Sequence, residues 1–433
     1  MKTTFKAKGH ITKYLSIFTI LIFTIFSTIN AFPTYDVVIK SSGIITTLSP
    51  LHVEGNCIKN LRNQTVTLRG VNQAGFADHP NGWWNPEGGS IYSGLGVWNP
   101  DAVKYNLDKM KQWGCNVVRL HTVIQWWLEN TNNYRQHIKD TIAWAGERGI
   151  YVIFEPTFVR GGEYACFFEL PYYPYLVDDT NSSNNNREGD VAVMPNRTAF
   201  INYWVSVVNE LEVYPNVLFE VFNEPHGNAT VADEFFEMVQ EWINVTRNAG
   251  ATQLLVVQWG IGTWVNFGNP PPDPHEPPSD AHPCLTFYWV EYYPLYDPLG
   301  NLVYSTHKYR WDFHRWFEEE QKMNGVWTYD EIKQGYNITL LNYVLFNLSK
   351  PVIIGEIGAD MWQTGTELER ELAWFNNSLT ILNEWGVSYI AWVWTATAHM
   401  RHGLLQNAVW LPPPTQSGEI LISKISEASR SVP

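Results

Sequence analysis

The sequence predicts an α/β fold, a single (β/α)8 TIM barrel, and three observations carry that prediction. Short apolar runs recur along the chain: "NVVRLH" at 116–121, "IYVIFEP" at 150–156, "NVLFEVF" at 216–222, "QLLVVQW" at 253–259, "NLVYSTHKY" at 301–309, "PVIIGEIG" at 351–358 and "SYIAWVW" at 388–394. With the run through Val71 they number eight. Amphipathic stretches of helical period separate most of them, the alternation expected of parallel strands joined by helices. Finally, 433 residues, 45% of them hydrophobic, suffice for one large domain with a sizeable core.

Each element can be justified in order. Lys2, Lys6, Lys8 and Lys13 precede the apolar stretch "YLSIFTILIFTIFSTINAF", with the small Ala31 near its end, so residues 1–31 read as an export signal or an uncleaved membrane anchor. Residues 32–50 read as a linker, and 51–433 as the barrel. "LHVEGNCIKNLRNQTVTLRG" alternates and turns at Asn63, an N-terminal hairpin that feeds the first barrel strand. Among the helices, "RQHIKDTIAWAGERG" places Ile138, Ile142 and Ala145 on one face and stops at Gly149. "LERELAWFNNSLTILNEWG" does the same with Leu368, Leu372, Phe375, Leu379 and Leu382, and stops at Gly386. "LPPPTQSG" at 411–418 reads as a linker and "EILISKISEAS" as the eighth helix. Two stretches interrupt the rhythm: 159–196, with the loop-like "DDTNSSNNNREG", and the Pro-rich 260–300, where no fifth helix is evident.

Composition narrows the partners. The net charge is −14, from 29 basic and 43 acidic residues, which disfavours nucleic acid or anionic membrane. Aromatic residues make up 15%, including 21 Trp; a barrel core uses some of these, and the surplus suits stacking on sugar rings. The sequons at Asn63, Asn181, Asn196, Asn228, Asn244, Asn337, Asn347 and Asn376 are compatible with a glycosylated, extracellular surface. Of Cys57, Cys115, Cys166 and Cys284, Cys115 reads as a buried thiol; the sequence leaves room for one disulfide among the others without giving its pairing. No metal-type spacing, nucleotide loop or cofactor motif is present, so no cofactor is expected.

In a (β/α)8 barrel the active face is built at the C-terminal strand ends. Those ends carry Arg119 and His121, Glu155 and Thr157, Asn223 and Glu224, Gln258 and Trp259, His307 and Tyr309, Glu356, and Trp392 and Trp394. Two carboxylates across such a ring, with Arg, His and Tyr between them, equip a site to cleave a glycosidic bond. One carboxyl must stay protonated to donate to the leaving oxygen, and burial would raise its pKa. The other must stay ionised, which neighbouring positive charge favours. Taken alone, Glu224 could instead be a salt-bridged loop residue and Glu356 a barrel-mouth ion pair with Arg119.

"LRGVNQAGF", "VVRLH", "VFNEP", "YSTHKY", "IIGEIG" and "YIAWVW" together, from about Leu51 to the end of the chain, resemble glycoside hydrolase family 5, the retaining (β/α)8 cellulases and their relatives. The "HKY", "VIIGEIG" and "GLLQN" contexts are most similar to its archaeal-type endoglucanases. The resemblance implies that Glu224 is the acid/base and Glu356 the nucleophile. It further implies that Asn223 holds a sugar 2-hydroxyl, that Arg119 and Tyr309 keep Glu356 anionic, and that His307 lines the site near Glu224. By the same resemblance, Trp394 is the stacking floor for the sugar, aimed by a cis Trp394–Thr395 peptide, while Trp392 reads as a core aromatic.

The sequence departs from that family at two places. Thr157 stands where members usually carry a His, and position 121 is itself His. Because 119 and 121 share a strand side, His121 either partly replaces what Thr157 lacks or packs against "QWW" at 125–127. Glu155 reads as a structural ion-pair member. Trp83, Trp84, Trp98, Trp126, Trp127, Trp259 and Trp289 suggest an open cleft, hence endo action on a polymer. A cellulose-type β-1,4-glucan is the expected substrate, with mannan or mixed-linkage glucan as the alternative. A barrel that binds polysaccharide without cleaving it is the competing reading of a different class.

Overall fold

A computed structural model of the chain describes residues 48–81, 98–158, 197–225, 229–259, 287, 289–310, 328–339, 341–398, 400–406 and 413–430. The predicted N-terminal segment, Trp83, Trp84, Cys166, Cys284 and most of both interrupting stretches lie outside the described residues. Cys57 and Cys115 are free thiols, and Cys115 is buried.

The eight apolar runs do become a closed parallel barrel. After the antiparallel hairpin β1 (Leu51–Glu54) and β2 (Cys57–Asn60) come β3 (Arg69–Gln73), β4 (Val117–Val123), β5 (Tyr151–Phe158) and β6 (Val217–Glu220). β7 (Leu255–Gln258), β8 (Leu302–Tyr309), β9 (Val352–Gly358) and β10 (Ser388–Ala391) follow, and β10 closes on β3. The hairpin turns at Gly55, earlier than expected, and Asn63, with a positive φ of 60°, makes the second turn that returns the chain to a bridge between Lys59 and Thr65.

Seven longer helices surround the barrel among the described residues: α1 (Pro100–Gln112), α2 (Tyr134–Glu147), α3 (Arg197–Leu211), α4 (Ala229–Asn248), α5 (Tyr329–Ile338), α6 (Gly365–Glu384) and α7 (Gln416–Arg430). Gly149 and Gly386, at φ of 70° and 68°, stop α2 and α6 in the left-handed conformation that glycine takes without a Cβ clash. Between β7 and β8 the described residues hold a four-residue helix, Trp289–Tyr292, and residues 260–286, where the sequence shows no fifth helix, lie outside the described residues.

The barrel interior is layered by strand alternation. At its N-terminal end, Leu68, Val117, Ile153, Leu218, Val256, Val303, Ile353 and Ile390 form one apolar cluster, joined by Leu51 and Ile58 of the hairpin. Two residues further along each strand the side chains again point inward, one layer nearer the mouth. There the sequence turns polar: Arg119, Glu155, Glu220, Gln258 and Ser305 are all buried. The apolar floor thus lifts a charged layer towards the C-terminal face.

Candidate active site

Arg119 organises that layer. Its Nε and Nη2 donate to the two oxygens of Glu220 at 2.7 and 3.0 Å, a bidentate pair. Nη1 donates to Asn72 Oδ1 and to Glu356 Oε1, both at 3.1 Å, and Nη2 donates to Asn223 Oδ1 at 2.8 Å. All five guanidinium N–H groups are therefore used. Burial opposes the charge, but Glu220, Glu155 and Glu356 outweigh it and raise the pKa, so the cation persists.

The sequence reading does not name Glu220 or Asn72, and both hold the site together. Asn72 spreads its amide over the carbonyls of Gly355, Ile390 and Ala391, which leaves Oδ1 as the acceptor facing Arg119. The signal for Glu220 was present: a carboxylate in the middle of an apolar strand, two residues past inward-facing Leu218.

Glu356 reaches the interior through an irregularity. Its neighbour two residues beyond inward-facing Ile353 is Gly355, so plain alternation would aim Glu356 outward. Thr306 pairs with Ile354 and His307 with Glu356, leaving Gly355 as an extra residue, and the register with β10 shifts at the same place. This bulge turns Glu356 inward. Glycine is required at 355 because a Cβ there would lie 2.8 Å from Ser305 Oγ and 3.0 Å from His307 Nε2. Both carboxylate oxygens receive donors: Arg119 at 3.1 Å and the Tyr309 hydroxyl at 2.7 Å. Burial and the nearby Glu224 push its pKa up, while His307 and Arg119 oppose them.

Glu224 is set differently. It follows β6 in a left-handed conformation, φ 48°, which a non-glycine residue adopts only when its surroundings impose it. Its N–H is fixed to Gln258 Oε1 at 3.0 Å. Its Oε1 meets His307 Nδ1 at 2.7 Å. Burial pushes its pKa up to about 7 even though the side chain keeps 29% exposure to the mouth. Burial also drives His307 down to about 3, so the imidazole stays neutral beside it. An oxygen of Glu224 and an oxygen of Glu356 lie within 4.8 Å. Oxygens this near each other are compatible with the close carboxyl spacing of retaining glycosidases, about 5–5.5 Å. With His307 Nδ1 the same atoms could bracket a cation, but Arg119 already supplies positive charge to Glu356.

Behind Glu356 lies a second buried set. His121 Nε2 is 3.0 Å from Arg119 Nη1, 2.9 Å from Asn72 Oδ1 and 4.0 Å from Glu356. Its Nδ1 is 2.8 Å from Thr157 Oγ1 and 2.7 Å from Glu155 Oε1. Burial and Arg119 push the imidazole pKa well below its usual value. His121 is only 1% exposed, so it braces Asn72 and Arg119 from behind instead of presenting a face to a sugar. Glu155 joins the ion-pair network, as expected, and burial raises its pKa to about 7.

The tryptophans require corrections. Trp394 is buried against α1, its indole N–H bonded to Asn106 at 2.7 Å and its ring 4.7 Å from that of Trp113. The cis peptide is Trp392–Val393, not Trp394–Thr395. β10 ends at Ala391, three residues short of the expected end. Trp392 is thus the inward residue at the mouth, half-buried and 4.9 Å edge-on to His121. Trp259 is wholly buried among Phe235 and Phe236, which removes it from the sugar-binding residues. Trp126, Trp127 and Trp289 are buried too, and Trp98 stacks on His137 and Trp144. Substitution separates the two tryptophans. Trp394→Ala should cost about 3–5 kcal/mol of stability, read as a lower Tm, with turnover of the folded enzyme largely kept. Trp392→Ala should cut kcat/KM at least about tenfold, some 1.4 kcal/mol of transition-state binding, with Tm little moved.

Comparison with known proteins gives the family and fold relatives. The model of the cellulase family, glycosyl hydrolase family 5, matches residues 66–398. A hyperthermophilic endocellulase from Pyrococcus horikoshii superposes with a TM-score of 0.62 at 20% identity, covering 87% of this chain and 99% of that one. A β-glucanase from Saccharophagus degradans, in complex with cellotetraose, superposes at 0.58 with 16% identity, covering 89% and 95%. A cellotetraose complex of an endocellulase variant from Pyrococcus horikoshii gives 0.60 at 18%, covering 88% and 100%.

Proposed function

The chain belongs to glycosyl hydrolase family 5, and from that premise we propose that it is a retaining endo-β-1,4-glucanase acting on cellulose-type glucans. The observation that carries the proposal is one pair of carboxyls, within 4.8 Å, in opposite environments. Glu356 is held by Arg119 and Tyr309, whereas Glu224 faces a neutral His307 and holds its proton to about pH 7.

In this mechanism Glu356 attacks the anomeric carbon while Glu224 gives its proton to the leaving oxygen, and a glycosyl-enzyme ester forms. Glu224, now ionised, takes a proton from water, whose oxygen displaces Glu356 and completes retention. Asn223 has its carbonyl oxygen occupied by Arg119, so its amide N–H2 is the end left to hold a sugar hydroxyl. Trp392 supplies the apolar floor. The glucan preference is supported by the cellotetraose and endocellulase neighbours. The basic-then-apolar N-terminal segment and the sequons support a site of action outside the cell, free or anchored; enzyme retained in the cytosol of an expressing cell would refute that part.

The test is reducing-end release from a panel of soluble polysaccharides. Carboxymethylcellulose or barley β-glucan should be cleaved to a ladder of short oligosaccharides, with β-mannan at least about tenfold slower. Faster release from mannan would change the substrate, and no release from any polymer would leave a binding barrel.

A further inference from the structure

Trp362 is the one tryptophan that stays more than half exposed among the described residues, at 55%. It sits in the connection from β9 to α6, on the C-terminal face and six residues past Glu356. An exposed indole at a loop tip would normally be free to rotate. This one is fixed: its indole N–H donates to Thr397 O at 2.7 Å, and its backbone N–H donates to Asp360 Oδ1 at 3.0 Å. The Arg401 guanidinium lies 5.4 Å from the ring centroid, over one face, and 3.6 Å from Asp360. Asp360 is itself buried and also accepts from Gln363.

The braces connect this ring to the reaction. Thr397 and Arg401 belong to the loop that begins with Trp392. Met361 N–H donates to Arg401 O at 2.7 Å, and the next residue, His402, packs its ring 4.9 Å from that of Tyr309, the donor to Glu356. Trp362 is thus braced by the loop that carries Trp392 and that, through His402, packs on Tyr309. One face is covered by the guanidinium of Arg401, a half-exposed side chain, and the indole N–H is satisfied by Thr397.

We propose that Trp362, backed on one face by Arg401, is a sugar-binding subsite whose other face stacks one pyranose ring of the polysaccharide beyond the bond being cleaved. The chemistry is that of a neutral glycan: C–H groups of a sugar face meet the indole. This rests on the glycoside hydrolase reading above.

The experiment compares polymer with a short substrate in wild type, Trp362→Ala, Trp362→Phe and Arg401→Ala. For each, kcat/KM is measured on soluble β-glucan and on an aryl β-cellobioside too short to span both sites. Trp362→Ala should lower the ratio of polymer to aryl-cellobioside kcat/KM about 3- to 10-fold, the worth of one aromatic stacking contact. The change should fall mainly on KM, with Phe recovering part of the ratio and Arg401→Ala lowering it less than Trp362→Ala. An unchanged ratio overturns the subsite, as does an equal loss on both substrates, which would mean a disturbed loop. Wild-type enzyme that cleaves the aryl glycoside but no polymer overturns it while sparing the catalytic assignment; wild type inert on both overturns the glycosidase reading itself.

Discussion

Glu356→Gln is expected to abolish turnover of every substrate, a loss on the order of 10⁴- to 10⁶-fold in kcat, the scale seen when a nucleophile is removed. The substitution keeps the shape, and its carbonyl oxygen can still accept from Arg119 while its N–H2 donates to the Tyr309 hydroxyl, but it has no anion to form the ester. Natural and activated substrates should therefore fail alike, because without the attacking anion no ester forms however good the leaving group is. Stability supplies the control. Burial raises the pKa of Glu356, so the stability carried by its neutral form is present below the unfolded-state value and is lost as pH rises through the folded one. A neutral glutamine escapes that loss, and the variant should melt no lower than wild type at neutral pH. Activity within about a hundredfold of wild type would take the nucleophile's role away from Glu356.

The ease with which Glu356 can be named, and the difficulty of naming what holds it, have physical reasons. Strand count, helix stops and the two carboxylates depend on short-range pattern: β-branched runs, glycines after amphipathic helices, a charged residue at a strand end. These are legible one segment at a time. Arg119, Tyr309 and His307 stand at strand ends, and the structure brings all three within hydrogen-bonding reach of one or other carboxylate. The roles of Glu220 and Asn72 depend on Arg119, 101 and 47 residues away on another strand, so even the buried carboxylate that marks Glu220 in its strand did not show what it holds. The tryptophan error has a local cause. "SYIAWVW" is apolar to its end, so hydrophobicity alone extends the strand to Trp394, whereas pairing stops at Ala391. A difference of three residues moved the mouth position from Trp394 to Trp392 and sent the former into the helix layer. Trp259 failed for a related reason, since aromatic surplus says nothing about which rings other helices will cover.

Glu224→Ala should divide substrates by their leaving groups. Natural glucan needs a proton on the departing oxygen, so its kcat/KM should fall on the order of 10²- to 10⁴-fold, the usual worth of general acid catalysis. An aryl glycoside with a leaving group as good as dinitrophenol needs no such proton, and its first step should be nearly spared. The ester would then accumulate, because water lacks its base: a burst followed by slow turnover, with a lowered KM. Azide is small, anionic and needs no base, and the gap left by the side chain opens on the mouth where Glu224 is 29% exposed. It should restore turnover and leave a β-glycosyl azide, the product of two inversions. The pH profile gives an independent reading. The acid form of Glu224 persists up to about 7, so wild-type kcat/KM on glucan should decline as pH rises through that value. The acid limb, set by ionisation of Glu356, should lie above the ordinary carboxylate range, since its pKa is also raised. In Glu224→Ala assayed on the activated substrate the alkaline limb should vanish and the acid limb remain. Persistence of the alkaline limb would shift the acid's role to another group with a similar pKa, and Glu155, raised to about 7 behind His121, would be the first to test.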